Sequence, residues 1–327
     1  MNTPPLVTIF GGSGFLGRYI AQRMAHQGWR VRVAVRRPNE AMFVQTYGEV
    51  GQVIPIQANI RDDASTRAAI AGADVVVNCV GILSENSRQK FDAVQGDGAA
   101  RIAKMAAKAG VSKFIHISSI GADTDSDSKY LRSKAAGEAA VLAAIPDAVI
   151  LRPSVMFGSE DRFFNKFGTM SRYFPILPIV GADSKFQPVY VDDVAAAAVA
   201  AINSDASGIY ELGGPDVETF RELMQRMLHV VRRKRFLINL PFKFARINAF
   251  FIEMWHKLTL GIVPLVLTRD QVKMLAHDNV VSKGAKTLAD LGVDPTAMEA
   301  VLDRYLYRFR PQGQYTDLTS SAKNLRG

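Results

Sequence analysis

The chain has little cysteine: Cys79 is the only one among its 327 residues. A disulfide framework and a structural cysteine–zinc module both need several cysteines, so the sequence excludes them. The five histidines show no metal-ligand spacing, and the acidic loop of Asp123, Asp125 and Asp127 lacks the glutamate that closes a calcium loop. We therefore expect no metal site.

Long apolar runs are missing too. A helix needs about 20 mostly apolar residues to cross a bilayer, and charged residues such as Lys243, Arg246 and Glu253 interrupt the most apolar region of this chain. Only Met1–Pro5 precede the first predicted strand, which leaves no room for an export or organelle presequence. We expect a protein that stays in the compartment where it is made.

Acidic residues are outnumbered: 31 Asp and Glu stand against 40 Lys and Arg, for a net charge of +9. The excess is concentrated between Arg221 and Gly261, where nine basic residues stand against two glutamates. Such a block is typical of proteins that meet nucleic acid, anionic lipid or an acidic partner. No recognition-helix, RNA-binding-sheet or zinc-finger signature accompanies the charge, so we expect no nucleic-acid partner.

Short β-branched runs alternate with helical stretches over the first two-thirds of the chain, which predicts an α/β fold. Because βαβ crossovers are right-handed, the expected sheet is parallel, doubly wound and Rossmann-like. The predicted strands are Leu6–Phe10, Arg30–Val35, Gln52–Ile56, Asp74–Val80, Lys113–Ser118 and Ala148–Leu151. The predicted helices are Phe15–Gln27, Ser65–Ala71, Ala93–Ala109 and Tyr130–Ala144.

Beyond the sixth predicted strand helical patterns dominate, which predicts a smaller, mostly helical C-terminal domain. We place the first domain at residues 1–203, with an excursion at 159–186 towards the C-terminal lobe. Residues 204–310 form the predicted second domain, which contains the basic amphipathic segment 232–258. The polar tail, residues 311–327, is expected to be extended or disordered.

The first predicted strand runs directly into a glycine-rich loop. Gly12, Gly14 and Gly17 match the G-x-G-x-x-G dinucleotide fingerprint, and Gly11, Gly14 and Gly17 match its G-x-x-G-x-x-G variant. The glycines permit a tight turn and a close approach of pyrophosphate to the backbone, while the helix N-terminus offers N–H groups to the phosphates. The residues assigned to the cofactor are Gly11, Gly12, Ser13, Gly14, Phe15, Leu16 and Gly17.

Arg36 and Arg37 follow the second predicted strand, where an NAD-binding protein places Asp or Glu on the ribose 2′-hydroxyl. The next carboxylate is Glu40. Guanidinium groups suit a 2′-phosphate by charge and by geometry, so the pair predicts NADP(H). The alternative is that both arginines are solvated surface charges.

Tyr130 and Lys134 lie four residues apart, on one face of a predicted helix. An ammonium group beside a phenol lowers the phenol pKa, which makes Tyr130 a candidate general acid or base. Ser118 or Ser119, at the end of the fifth predicted strand, can complete an oxyanion-binding group.

Together these motifs resemble the short-chain dehydrogenase/reductase superfamily, in its extended or atypical branch. The further stretches that resemble it are Asn78–Gly81, Arg152–Gly158, Val189–Val194 and Tyr210–Gly214. The resemblance implies adenine contacts at Asn59 and Ile60 and adenine-ribose contacts at Val80 and Gly81, with Cys79 in the same turn. The other implied cofactor contacts are Ser118, Tyr130, Lys134, Pro153, Ser154 and Val155. Tyr130 follows Ser119 by fewer residues than in typical members, so we assign Ser118, Tyr130 and Lys134 to cofactor contact first and to catalysis second.

A narrower resemblance covers nearly the whole chain. Residues 128–138, 160–165, 185–190, 268–272 and 288–292 are similar to the NAD(P)H-binding accessory subunits of respiratory complex I. That resemblance implies tightly held NADPH without established turnover. It also implies complex I subunits as partners, at the quinone module and its junction with the membrane arm. We expect a bacterial form, peripheral to the inner membrane on its cytoplasmic side.

An amphipathic helix is predicted after Pro241. Its apolar stripe, at spacings of three and four, consists of Phe244, Ile247, Phe251, Met254, Trp255 and Leu258. The basic cluster Arg232–Arg235 lies just upstream. Such a segment suits an anionic membrane surface or a partner's groove, and the alternative is packing on the protein's own sheet. The complex I resemblance favours a contact with the membrane surface and neighbouring subunits for residues 232–258.

The leading hypothesis is therefore an NADP(H)-binding, non-catalytic accessory subunit of proton-pumping NADH:quinone oxidoreductase, in which the cofactor stabilises the fold. The alternatives are a stand-alone NADPH-dependent reductase or epimerase, with Tyr130 as proton donor, and an NADP(H) redox sensor. The predicted fold does not choose among them, because one fold hosts many functions.

Overall fold

The computed structural model describes residues 3–86, 89–259 and 267–315. The strands are β1 (Leu6–Phe10), β2 (Arg30–Val35), β3 (Val53–Gln57), β4 (Val75–Asn78), β5 (Lys113–Ile117), β6 (Val149–Pro153), β7 (Met156–Phe157), β8 (Ile176–Val180), β9 (Lys185–Phe186), β10 (Val189–Tyr190), β11 (Gly208–Leu212), β12 (Glu218–Thr219) and β13 (Phe236–Leu240). The helices are α1 (Phe15–His26), α2 (Asp63–Ile70), α3 (Asp97–Ala109), α4 (Lys129–Ala144), α5 (Phe164–Tyr173), α6 (Val191–Ile202), α7 (Phe220–Val230), α8 (Phe242–Leu258), α9 (Arg269–Met274) and α10 (Glu299–Leu306).

The chain divides into two compact units. The first consists of Met1–Ser154, Val191–Gly213 and Val281–Pro295, and the second consists of Val155–Tyr190, Gly214–Val280 and Thr296–Gly327. This division departs from the sequence-based boundary at residue 203, because β11 joins the first unit by pairing with β6. The segment 281–295 also returns to the first unit, where Glu211 N donates to Lys286 O at 2.8 Å.

A parallel sheet forms the centre of the first unit. Within the described residues its seven strands have the order β11-β6-β5-β4-β1-β2-β3, and every neighbouring pair is parallel. Every residue of β1 and of β4 is buried, as expected for strands covered by helices on both faces. The strand order reverses between β1 and β4, so their carboxyl ends border the crevice where such sheets bind ligands. The predicted doubly wound, Rossmann-like sheet is confirmed.

Local chemistry explains where two helices begin. α2 begins at Asp63 because the side chain of Asp62 accepts a hydrogen bond from Ser65 N at 2.7 Å, which caps the helix. α3 begins at Asp97, four residues later than predicted, because Asp92–Gly96 form a π-helical turn. Such turns are rare and occur frequently at functional sites.

The second unit has its own core, in which aromatic side chains pack among aliphatic ones. Phe157, Phe164, Phe186 and Phe220 are buried there together with residues of α7 and α10. The basic cluster Arg232–Arg235 belongs to this unit and is partly structural. Arg233 Nε donates to Phe309 O and Arg235 Nε donates to Ser171 O, each at 2.7 Å.

None of the described helices combines the length and the hydropathy that crossing a bilayer requires. Residues 316–327 of the predicted polar tail lie outside the described residues. Gly313–Tyr315, at the start of that tail, form a short 3₁₀ helix.

Candidate functional site

The glycine loop between β1 and α1 has no room for side chains. Gly11 adopts a φ of +75°, its N–H donates to Ala34 O at 3.0 Å, and its carbonyl accepts from Gly14 N at 2.9 Å. A Cβ on Gly17 would lie 2.4 Å from Gly11 O and 2.7 Å from Gly12 Cα, and one on Gly12 would lie 3.0 Å from a Val33 methyl. The first turn of α1 therefore packs directly on the loop backbone, as the dinucleotide fingerprint requires.

The N-terminus of α1 is electrostatically suited to an anion. Within this fully described helix, no side chain caps Gly14 and no acidic residue occupies the first turn. Arg18, one residue after the fingerprint, donates to Ser13 O at 3.1 Å and to Gly14 O at 3.3 Å. Its guanidinium also lies 4.9 Å from the centroid of the Phe43 ring. The helix dipole and Arg18 thus place positive charge at the loop.

The two arginines after β2 have different surroundings. Arg36 lines a cleft of about 410 Å³, whose other lining residues are Gln57, Ala58, Asn59, Asp62 and Ser65. Arg37 instead forms an ion pair with Glu40 at 2.9 Å, and 76% of its side chain is exposed. Both arginines are exposed, but Arg36 lines the cleft, whereas Arg37 is held in a surface ion pair that stabilises little.

The implied adenine contacts also occupy different positions. Asn59 lines the cleft with Arg36, and its Oδ1 accepts from Arg61 N at 3.1 Å. Ile60 is buried, and a Cβ on Gly98 would lie 2.6 Å from its Cδ1. Asp62 adds a carboxylate to the cleft, but that carboxylate is already engaged as the cap of α2.

The turn after β4 lies against the glycine loop. A Cβ on Gly11 would be 3.3 Å from the Cys79 carbonyl, and Cys79 N donates to Phe10 O at 2.9 Å. Asn78 Oδ1 accepts from Val80 N at 3.1 Å and so fixes the turn. Burial raises the pKa of the Cys79 thiol to about 12. A thiol with so high a pKa stays protonated at neutral pH and is a poor nucleophile.

Tyr130 and Lys134 lie on the buried face of α4, as their spacing predicts, and are 8% and 4% exposed. Lys134 Nζ donates to Ile117 O at 3.0 Å and lies 5.9 Å from the centroid of the Tyr130 ring. Burial lowers the pKa of Lys134 to about 8, while Glu138 raises it. The expectation that the ammonium group lowers the Tyr130 pKa was wrong, because the pKa of Tyr130 in the folded chain is raised. Burial dominates and raises that pKa, with an opposing contribution from Ser119.

Buried polar atoms without partners lie in the same part of the first unit. Among the described residues, the buried side-chain polar atoms without a hydrogen-bond partner are His116 Nε2, Ser118 Oγ and Ser119 Oγ. His116 Nδ1 lies 3.1 Å from Asn78 Nδ2, and burial lowers the His116 pKa to about 3, so the ring is neutral. Buried groups of this kind are rare without an occupant that satisfies them.

The remaining predicted contacts follow β6. Ile120 N donates to Pro153 O at 3.1 Å, and Ser154 N donates to Leu212 O at 2.9 Å. Val155 begins the second unit, where its N–H donates to Asn279 Oδ1 at 3.1 Å.

Taken together, the first unit brings a glycine loop, an uncapped helix N-terminus, Arg36 and the Tyr130–Lys134 pair to the carboxyl edge of one sheet. These features fit a dinucleotide, because its pyrophosphate can approach the loop backbone closely and its charge meets positive groups. The unpartnered polar atoms offer it further hydrogen bonds. Sequence reasoning missed Arg18, Asp62 and His116. Only Arg18 carried a local signal, as the basic residue directly after the last fingerprint glycine.

Comparisons with known proteins agree with this geometry. Residues 7–213 match the family described as "NAD dependent epimerase/dehydratase family". The chain belongs to this family.

Two relatives cover most of the chain. It is 37% identical over 97% of its length to "NADH dehydrogenase [ubiquinone] 1 alpha subcomplex subunit 9, mitochondrial" of Arabidopsis thaliana, of which 81% is covered. It is 33% identical over 83% of its length to "Ceramide reductase" of Caulobacter vibrioides, of which 84% is covered.

Solved structures share the fold. A Thermus thermophilus UDP-glucose 4-epimerase in complex with NAD has a TM-score of 0.69 and 17% identity, over 94% of this chain and 99% of that one. The NADPH-dependent quinone oxidoreductase QOR2 of Escherichia coli, complexed with NADPH, has a TM-score of 0.69 and 17% identity, over 92% and 98%. Family and fold together support a nicotinamide dinucleotide as the cofactor.

Proposed function

We propose that this protein is an NADP(H)-binding accessory subunit of NADH:quinone oxidoreductase, in which the nucleotide is held and not turned over. The observation that carries the proposal is the 37% identity to the Arabidopsis subunit 9 over 97% of this chain. The family match at residues 7–213 ends within the chain, and the relationship to the Arabidopsis subunit continues through most of the rest of the second unit. A ligand bound only by the native state stabilises it by mass action, which gives a held nucleotide a structural role.

NADP(H) is favoured over NAD(H) by the charges around Arg36. A guanidinium lines the cleft after β2 and β3, whereas an NAD-binding protein presents a carboxylate at the end of the second strand. Arg18 adds a second positive charge close to the glycine loop. The residues that would hold the nucleotide are the loop 11–17, Arg36, Asn59, the turn 79–81, Ser118, Tyr130 and Lys134. A reduced nicotinamide would supply a hydride, and the proposed role makes no use of its transfer.

The surface of α8 supports a membrane or subunit contact for residues 232–258. Ala245 and Ala249 are fully buried and pack with Val180 and Val272, so the small-residue face holds the helix in place. The predicted apolar stripe is exposed, which supports a contact with a membrane or a subunit over packing on the protein's own sheet. The exposed apolar residues of α8 are Phe242, Phe244, Ile247, Phe250, Phe251, Met254, Trp255 and Leu258.

This apolar face has the chemistry of a lipid-facing helix. Aromatic and aliphatic side chains lie on the same helix as exposed Lys243 and Arg246, and basic amphipathic helices of this kind bind anionic interfaces. We place it on the cytoplasmic side of the bacterial inner membrane, beside complex I subunits at the quinone module and the membrane-arm junction.

The experiment is native electrophoresis of gently solubilised membranes, with the chain detected by antibody. The proposal expects the chain to migrate with NADH:quinone oxidoreductase activity. A chain found solely as a free species of its own mass, in membranes where the oxidoreductase is intact, contradicts it.

A second candidate is an NADPH-dependent reductase, favoured by the Caulobacter relative named ceramide reductase. Tyr130, Lys134 and an unpartnered Ser118 hydroxyl are all buried near the carboxyl end of β5. A phenol whose pKa is raised stays protonated at neutral pH and can act as a proton donor.

The variant Tyr130→Phe separates the two functions. If it binds the nucleotide normally but largely loses NADPH oxidation with a long-chain ketone, the reductase is favoured. Unchanged oxidoreductase activity and assembly favour the subunit.

A further inference from the structure

Three ionisable side chains, two of them buried and one partly buried, form a network in the first unit. Glu138 of α4 and Glu211 of β11 are 3% and 7% exposed, and Arg152 of β6 lies between them. Arg152 Nε and Nη2 donate to the two oxygens of Glu138 at 2.9 and 2.6 Å, and its Nη1 lies 3.4 Å from Glu211 Oε1. Glu211 Oε2 also accepts from Ser282 N at 2.8 Å. The bidentate contact fixes the Glu138 carboxylate in one orientation.

Lys134 lies one helical turn before Glu138, on the same buried face of α4. Its hydrogen bond to Ile117 O, at 3.0 Å, supplies a dipole and no countercharge. Within the described part of the chain, the other ionisable groups that face it are Cys79, His116 and Tyr130, from the turn after β4, from β5 and from α4. All three are neutral at pH 7, because burial shifts each of their pKa values away from ionisation. Glu138 is thus the one anion among them.

The buried charges balance only as a set. Lys134 and Arg152 are cations, and Glu138 and Glu211 are anions, so the four carry no net charge. If Glu138 becomes neutral, Arg152 keeps Glu211 as its partner and Lys134 becomes an uncompensated buried cation. Such a group sheds its proton, since an unpaired charge in the interior is costly.

We propose that Glu138, oriented by Arg152, is a positioning residue that keeps Lys134 charged for nucleotide binding. This inference rests on the proposed function as an NADP(H)-binding protein. Glu138 acts through Lys134 and is not itself a contact of the nucleotide. A cationic Lys134 donates a charge-assisted hydrogen bond to an oxygen of the ligand, and a neutral amine forms that bond more weakly. Glu138 strengthens this bond by keeping Lys134 charged.

The pH dependence of binding is the diagnostic quantity. Because the pKa of Lys134 is about 8, the cation predominates below that pH and is lost above it. NADPH affinity therefore falls as the pH rises through about 8 in the wild type. In Glu138→Gln the fall moves to lower pH by about one unit or more. A shift of one unit lowers the affinity by about twofold at pH 7 and by up to about tenfold at pH 9, while affinity at acidic pH changes little.

The test is calorimetric titration of the full, nucleotide-free chain with NADPH from about pH 6 to 9. The matched control is Glu211→Gln, which removes the other carboxylate that contacts Arg152. Glu211 is not among the groups that shift the pKa of Lys134. It keeps the wild-type midpoint. Glu138→Asp retains the charge and restores a midpoint close to that of the wild type.

The outcomes are distinct. A lower midpoint in Glu138→Gln alone supports the inference, whereas wild-type midpoints in both variants, or equal shifts in both, overturn it. If Glu138→Gln does not fold, the wild type supplies the second test. Proton uptake on binding near pH 8, seen in two buffers of different ionisation enthalpy, must occur and must vanish in Lys134→Met. A wild type that binds no NADPH at any pH refutes the proposed function itself.

Discussion

Replacing Lys134 with methionine removes a buried cation from the candidate site. The ordinary pKa of a lysine, 10.5, falls to about 8 in the folded chain, mainly through burial. This difference means that the folded chain holds the charged form at a cost of about 3 kcal/mol relative to the unfolded chain. Methionine fills a similar volume without that cost, so the variant should be more stable than the wild type but should bind the nucleotide less well.

The sign and size of the pH effect follow from linkage. Between pH 8 and 10.5 the unfolded chain binds more protons at this lysine than the folded chain, so its contribution to wild-type stability rises with pH. The cost of about 3 kcal/mol at pH 7 falls to about 1 kcal/mol near pH 9.5. The free energy of unfolding of Lys134→Met, measured relative to the wild type, should therefore decrease by about 2 kcal/mol over that range.

Urea unfolding of the nucleotide-free chain at both pH values measures this difference. Lys104→Met is the matched control, since Lys104 is exposed on α3 and its replacement should show little pH dependence. A stability difference between Lys134→Met and the wild type that is the same at both pH values would refute the claim that Lys134 is a strained buried cation.

Three further predictions concern the nucleotide and the membrane. Gly17→Ala places a Cβ 2.4 Å from Gly11 O, so calorimetry should show that NADPH affinity falls by about tenfold or more. The control is Gly96→Ala, where the added Cβ meets open space and NADPH affinity should stay unchanged. Arg36→Glu should weaken NADPH binding by about tenfold and spare NADH, while Arg37→Glu has a smaller effect; equal losses for both nucleotides contradict the 2′-phosphate assignment. Trp255→Glu, at a side chain that is 54% exposed, should reduce flotation with anionic vesicles without lowering the melting temperature.

Local patterns in the sequence predicted the sheet and much of the site. β1 and β2 begin and end where their β-branched runs do, and the Tyr130–Lys134 spacing identified the buried face of α4. These features depend on residues close together in the chain, for which periodicity is informative. The assignment of individual residues to the cofactor stays a prediction.

Features that depend on distant residues were not predictable in the same way. Arg152 meets Glu138 and Glu211 only because β6 lies beside β11 and α4 packs nearby, and no sequence spacing encodes that meeting. Likewise, the stripe on α8 identified an apolar face but not its orientation. The structure shows that Ala245 and Ala249 face the core, which leaves the larger side chains exposed.

The central claim is that this chain holds NADP(H) within NADH:quinone oxidoreductase. Its most direct test is to isolate the oxidoreductase from native membranes, release its nucleotides with acid and quantify them against the chain by mass spectrometry. The account predicts about one NADP(H) for each copy of the chain in the purified complex. A complex that lacks the chain, or a chain that carries NAD(H) or no nucleotide, would contradict it.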